Sequence, residues 1–140
     1  MYADYVTDIV HEPTQSHDGG CDLTVAEVYD VTGPGRVDFG GGELEAAETV
    51  AHASSKRNPN DDYEWWTLRA GQYLLEYNES LTGERTVTLQ PRRELLERGV
   101  SHPTLRLDEL HRIPISVGGA GIRLKENARV STVVDATETE

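Results

Sequence analysis

A chain of 140 residues fits one domain, since single domains run from about 50 to 250 residues, and a two-domain enzyme is not expected. Hydrophobic residues at 36% suffice for one core, and charged residues at 27% are ordinary for a globular chain, which excludes wholesale disorder. The 25 acidic residues against 13 basic ones give a formal charge of −12, which repels phosphate backbones and anionic lipid, so neither DNA, RNA nor a membrane is an expected partner.

From the start, Met1 to Val10 places Asp4 and Asp8 where a signal peptide needs basic charge, and a cytoplasmic location is expected. Cys21 is the only cysteine, so neither an intrachain disulfide nor a cysteine-based metal cage can form. Apolar residues alternate from Cys21 to Val31 but shift phase between Val25 and Val28, which predicts a bulged strand or two short strands. Gly33-Pro34-Gly35 and Gly40-Gly41-Gly42 predict turns. Glu43 to Ala53 is rich in helix formers without an apolar stripe, and reads as a short helix or an acidic loop. Ser54 to Asp62, with Pro59 and two asparagines, reads as a surface loop.

Trp65 to Leu68 and Gln72 to Tyr77 predict two strands around a turn at Ala70-Gly71, and Thr86 to Leu89 predicts another. Pro91 ends that strand and fits the first turn of a short helix through Arg98, which Gly99 stops. Alternation returns at Ile113, Ile115 and Val117, then at Ile122 and Leu124, and in the run from Ala128 to Val133, while Asp135 to Glu140 is an acidic tail. Many short strands without a repeated strand-helix-strand unit favour a sandwich or barrel-like β fold in a single domain spanning 1–140. Only Lys56 and Lys125 are lysines, and acid excess with scarce lysine suits a salt-rich cytoplasm, where the Debye length shrinks to about 3 Å and self-repulsion fades.

The five histidines, at 11, 17, 52, 102 and 111, have no metal-ligand spacing, and the glycine runs lack the lysine and hydroxyl of a phosphate-cradling loop. Four segments in order nevertheless resemble the dUTPase and dCTP deaminase superfamily, particularly its archaeal members. Gly20-Cys21-Asp22-Leu23 is similar to the early G-x-D-L motif, and Leu68 to Glu79 to the L-x-P-G-x-Y strand pair that ends in a glutamate. Pro91-Arg92 opens the counterpart of the P-R-S-S-L helix, and Gly121 to Thr132 resembles the late segment that leads to R-I-A-Q. The likeness runs from Asp18 to Val134, with 40–62 unmatched as a loop or insertion.

The resemblance implies a mainly β, distorted jelly-roll or β-clip fold with one short helix. It also implies a homotrimer, or a mixed trimer with a paralogue, with sites between subunits. The implied reaction is hydrolysis of dUTP to dUMP and pyrophosphate with Mg2+, on a deoxyuridine or deoxycytidine nucleotide. Asp22 would hold hydrated magnesium, Arg92 and Arg129 would contact phosphate, Thr132 would stand where the family glutamine meets substrate, and Asp108 would orient water.

The departures are equally specific. The two phosphate-binding serines are Arg93 and Glu94 here, and a later arginine falls on Glu97, with Arg98 beside it on another helix face. Thr104 to Arg112 lacks the D-x-G-Y-x-G residues, and Ile113 to Val117 lacks the glutamate that deamination needs. Impaired catalysis is therefore expected, and the alternative is a non-catalytic nucleotide-binding or assembly protein that keeps the trimer scaffold. Plainer roles stay open: Asp22 as a turn cap, Arg92 and Arg129 as solvated surface residues, and Trp65-Trp66 as packing rather than base stacking.

Overall fold

A computed structural model describes residues 4–135. In chain order the elements are β1 (Val6–Thr7), α1 (Glu12–Gln15), β2 (Ser16–His17), β3 (Gly20–Gly33), β4 (Glu48–Ala51), β5 (Trp65–Leu68), β6 (Gly71–Tyr77) and β7 (Ser80–Leu81). Then follow β8 (Val87–Pro91), α2 (Arg93–Leu96), β9 (Val100–Ser101), β10 (Leu105–Leu107), β11 (Ile113–Val117), β12 (Ile122–Lys125) and β13 (Arg129–Asp135). The fold is mainly β, as expected.

One nine-stranded antiparallel sheet organises the chain, in the order β10-β8-β13-β3-β6-β11-β9, with β2 and β4 also paired to β3. Its hub is β3, fourteen residues long, whose first half pairs with β13 and whose second half pairs with β6 and β4. The change of partner falls at a bulge between Val25 and Glu27, where the apolar phase shifts in the sequence. An extra residue there bends and twists the strand, so one continuous β3 curls the sheet around its own core. Smaller sheets, β1 with β7 and β5 with β12, cover its margins.

The core is the inward set of these strands, among them Leu23, Val25, Val28, Leu75, Leu89, Ile113, Ile115 and Val133, all nearly inaccessible. Trp66, Tyr73 and Tyr77 pack into it, consistent with a packing role for these aromatics, while Trp65 is half-buried beneath the Arg57 guanidinium. Among the described residues no helix is long and apolar enough to cross a membrane.

Two local expectations change. The helix-former-rich stretch 43–53 contains β4, because its Thr49, Val50 and Ala51 pair with Val31, Asp30 and Tyr29 of β3, and pairing overrides intrinsic preference. Among the described residues there are two short helices rather than one, α1 and α2. The two strands expected around Ala70-Gly71 are β5 and β6, of which β5 pairs with β12 and β6 lies between β3 and β11, and Pro91 ends β8 as expected, with α2 starting at Arg93. Beyond Asp135, the tail expected at the C-terminus lies outside the described residues.

Candidate functional site

The site is built from the register of three adjacent strands. Thr132 of β13 lies opposite Asp22 of β3 on one side and Gln90 of β8 on the other, and Arg129 lies opposite Thr24. Gly20 makes this approach possible: its φ is +143°, and a Cβ there would overlap the carbonyl oxygen of Val133. A glycine two residues before the aspartate is thus a steric requirement of the strand pair.

All six residues from Gly20 to Val25 are buried, so β3 is covered on both faces at this point. Cys21 and Leu23 enter the core, whereas Asp22 and Thr24 face a polar layer beneath α1 and β2. Asp22 is 1% exposed, accepts three hydrogen bonds and forms an ion pair with a second guanidinium. Thr132 Oγ1 and His17 Nε2 reach Oδ1 at 2.8 Å each, while Arg129 Nη1 and Arg92 Nε reach Oδ2 at 3.1 and 3.4 Å. The Gly19 amide donates to His17 Nδ1, which leaves the proton on Nε2 and makes His17 a neutral donor to Asp22.

Arg92 is engaged on every side. Besides Asp22, its Nη2 lies 3.3 Å from Glu94 Oε2, and its Nη1 donates to the Arg129 carbonyl at 3.4 Å. Arg129 is freer: among the described residues only its Nη1 is bonded, to Asp22 and to the Thr14 carbonyl, and the residue borders a 270 Å³ cavity with His11, Thr14 and Asn127. A second carboxylate, Glu79, closes the layer by accepting from Gln15 Nε2, the Thr24 amide and Thr24 Oγ1. Burial, with Glu79 and Asp22 nearby, pushes the Cys21 thiol up to about 11, so it is inert rather than nucleophilic.

Four of the sequence-predicted residues, Asp22, Arg92, Arg129 and Thr132, therefore meet in one cluster. The fifth does not join them. Asp108 is exposed in the turn after β10, where the register runs from Leu107 to Val87 and on to Asp135, at the opposite end of β8 from Pro91 and Arg92. Arg98 also points elsewhere, into a cavity with Arg123, Thr67 and Gly121. His17 was not singled out by spacing, because its link to Asp22 depends on the β2–β3 turn.

Magnesium, implied by the resemblance, does not fit this donor set. Both oxygens of Asp22 are engaged, by three hydrogen bonds and the Arg92 ion pair, so a hydrated divalent ion would meet two guanidinium groups there, and the second carboxylate of the layer, Glu79, is taken up by Gln15 and Thr24. Among the described residues no group of three or more histidine, cysteine or acidic side chains could hold a metal ion. The cluster suits two cations of its own chain and not a third.

On the core side of β13, one residue from Thr132, a buried hydrogen-bond chain runs through Ser131. His102 Nδ1 donates to the Pro103 carbonyl at 2.9 Å, so its Nε2 accepts from Ser131 Oγ at 2.8 Å, and Ser131 in turn accepts from the Tyr77 hydroxyl at 2.6 Å. This direction requires a neutral imidazole, and burial pushes the His102 pKa below its ordinary value of 6.5. Above 6.5 the stabilisation is complete; as pH falls below it, the unfolded chain takes up a proton that the folded chain refuses, and stability declines. Urea midpoints measured on either side of that value should drop on acidification, and His102→Gln should flatten that part of the profile; an unchanged profile would remove the assignment.

No family model matches the chain. It is 28% identical over 124 residues to a probable deoxyuridine 5'-triphosphate nucleotidohydrolase of Methanosarcina acetivorans, covering 84% of this chain and 69% of that protein. Its fold is similar to that of a 2'-deoxycytidine 5'-triphosphate deaminase from Agrobacterium tumefaciens, with a TM-score of 0.60 and 14% identity over 93% of this chain. The chain spans 43% of that deaminase chain, less than half its length. The ordered motifs, the curled antiparallel sheet and these two likenesses make the chain similar to members of the dUTPase/dCTP deaminase superfamily, with the dUTPase-like fold.

Proposed function

We propose that this protein belongs to deoxyribonucleotide metabolism and that the family reaction, dUTP plus water to dUMP plus pyrophosphate, is impaired in it. The observation that carries this reading is the engagement of Arg92. Its guanidinium, which by resemblance would meet substrate phosphate, is held by Asp22, Glu94 and a backbone carbonyl. Glu94 stands where the family has a hydroxyl donor. An incoming phosphate would lose that donor and meet a carboxylate instead, a repulsion of roughly 1 to 4 kcal/mol at contact distance between water-like and surface-like screening.

Thr132 supports the same reading, because its hydroxyl is bonded to Asp22 and the residue is 8% exposed, leaving little to offer a substrate edge. If catalysis persists, the water-orienting Asp108 must come from a neighbouring subunit of a homotrimer or mixed trimer, since within one chain it lies across the sheet from Arg92. Loss of the deaminase glutamate makes dCTP deamination the weaker reaction.

A second reading, a non-catalytic nucleotide-binding or assembly protein, is favoured by Arg129, which keeps Nε and Nη2 unbonded among the described residues beside an open cavity. Purified protein in high salt should be given dUTP or dCTP with magnesium, with products analysed and binding followed by calorimetry. We expect nucleotide binding with little or no pyrophosphate release. Turnover at an ordinary enzymatic rate, about 1 per second or faster, would overturn the impaired reading. Absence of binding as well would leave the scaffold role.

A further inference from the structure

A cavity of 330 Å³ opens where the turn between β11 and β12 meets the end of α2, with Arg98, Arg123, Thr67 and Ala120 among the residues lining it. Glycine decides its place. The Gly118 amide donates to the Gly99 carbonyl at 2.9 Å, just past α2, and the Gly121 amide donates back to Gly118 to close a four-residue turn. A Cβ at Gly118 would stand 2.9 Å from the Gly99 carbonyl oxygen, and one at Gly121 would stand 2.6 Å from that of Leu68, so the turn can touch the helix end and β5 at once only without side chains.

Register sets what faces the cavity. Arg123 of β12 lies opposite Thr67 of β5, so the two side chains share one face of that two-stranded sheet, and both are exposed, while Leu68 and Leu124 turn to the core. Arg98 Nη1 donates to the Glu94 carbonyl at 3.0 Å, and its Nε and Nη2 are unbonded among the described residues. The Arg123 guanidinium has no hydrogen bond or ion pair among the described residues. By contrast Arg36, Arg57, Arg85, Arg92, Arg112 and Arg129 each pair with a carboxylate. No aspartate or glutamate lines this cavity, in a chain where acids outnumber bases by 25 to 13.

The lining is therefore rich in hydrogen-bond donors: two guanidiniums, the Thr67 hydroxyl and the Ala120 amide, which no described residue bonds. Two like charges on one cavity repel each other, and a ligand with two negative charges turns that repulsion into attraction. A monocarboxylate neutralises only one of them. A tetrahedral dianion neutralises both and has acceptors in enough directions for two guanidinium forks and a hydroxyl.

We propose that the Arg98–Arg123 cavity binds a phosphate-class dianion, either free or as the phosphate end of a larger molecule. The site is separate from the Asp22 cluster. Arg98 lies beyond the end of α2, and neither β5 nor β12 pairs with β3 or β13, which carry Asp22, Arg129 and Thr132. The proposal does not rest on the Asp22 site being active or impaired.

The test is titration of the full chain with sodium pyrophosphate, without magnesium and at fixed ionic strength, followed by calorimetry and by the amide resonances of Ala120 and Gly121. Both resonances should shift and saturate. Arg98→Gln and Arg123→Gln should each weaken that saturation about 10- to 100-fold with unchanged circular dichroism, since both side chains are exposed. Arg106→Gln removes an equal charge from β10, and Arg129→Gln alters the Asp22 cluster; neither should change the response of Ala120 and Gly121. Inorganic phosphate and dUMP, titrated in parallel, separate the two sources: tighter binding of the inorganic anions identifies a free-anion site, and tighter binding of dUMP identifies a site for the phosphate end of a nucleotide. Failure of all three ligands to shift Ala120 and Gly121 at millimolar concentration would overturn the proposal. So would a response that Arg106→Gln weakens as much as Arg98→Gln, which marks diffuse charge, or one that only Arg129→Gln abolishes, which places the anion at the Asp22 cluster.

Discussion

Replacing Arg93 and Glu94 together by serine raises the rate of dUTP hydrolysis about 10- to 100-fold over the native chain, as read by pyrophosphate release at matched salt. Two effects combine in the same direction. Removing Glu94 frees Arg92 Nη2, now 3.3 Å from that carboxylate, to turn toward phosphate. Each serine adds a small donor, and a hydrogen bond to a charged group contributes about 1.5 to 3 kcal/mol. Residues 93 and 94 lie in the exposed first turn of α2, so the exchange disturbs no core contact. No gain in rate, with the fold intact by circular dichroism, would mean that the engagement of Arg92 by Asp22 alone disables the site or that the chain has no catalytic role.

Asp22→Ala should destabilise the chain by about 3 kcal/mol, the lower end for breaking a buried ionic group away from its partners, because both guanidiniums keep some access to water. The loss removes at once the acceptor shared by Arg92 Nε, Arg129 Nη1, Thr132 Oγ1 and His17 Nε2, of which Thr132 is the one buried from solvent. Urea unfolding measures it directly. Asp22→Asn keeps the shape and should lose less. A change below about 0.5 kcal/mol for the alanine variant would show that the carboxylate does not hold the cluster together.

Much of the sheet was readable from the residues. Enrichment in strand formers marked β6, alternation marked β11 and β13, and the phase shift between Val25 and Val28 marked the bend of β3 at its bulge. What escaped was whatever depends on a remote partner. The Glu48–Ala51 strand hides in helix-forming company, and only its pairing with residues 29–33 makes it extended. Helix α1 is four residues long and holds no periodic signal, yet its Gln15 bonds both the Asp22 carbonyl and Glu79.

The site was legible in its members and not in its bonding. Asp22, Arg92, Arg129 and Thr132 could be named from ordered motifs, because strand register brings them together wherever such motifs are kept. That Asp22 would be saturated by them could not be read, since it depends on His17 reaching round a tight turn and on Glu94 capturing an arginine. Asp108 fits only if a neighbouring copy is present, which no single chain supplies.

Strand β13 is bonded along both edges, and its successive side chains serve opposite sides: Ser131 joins the Tyr77–His102 chain, and Thr132 joins Asp22. A ribbon so held has no slack to absorb a change on one side alone. Any attempt to re-engineer the Asp22 face, for instance by lengthening Thr132 to a glutamine, is therefore also a repacking of the interior behind it, and has to be compensated at Ser131 or His102 to keep the sheet in register.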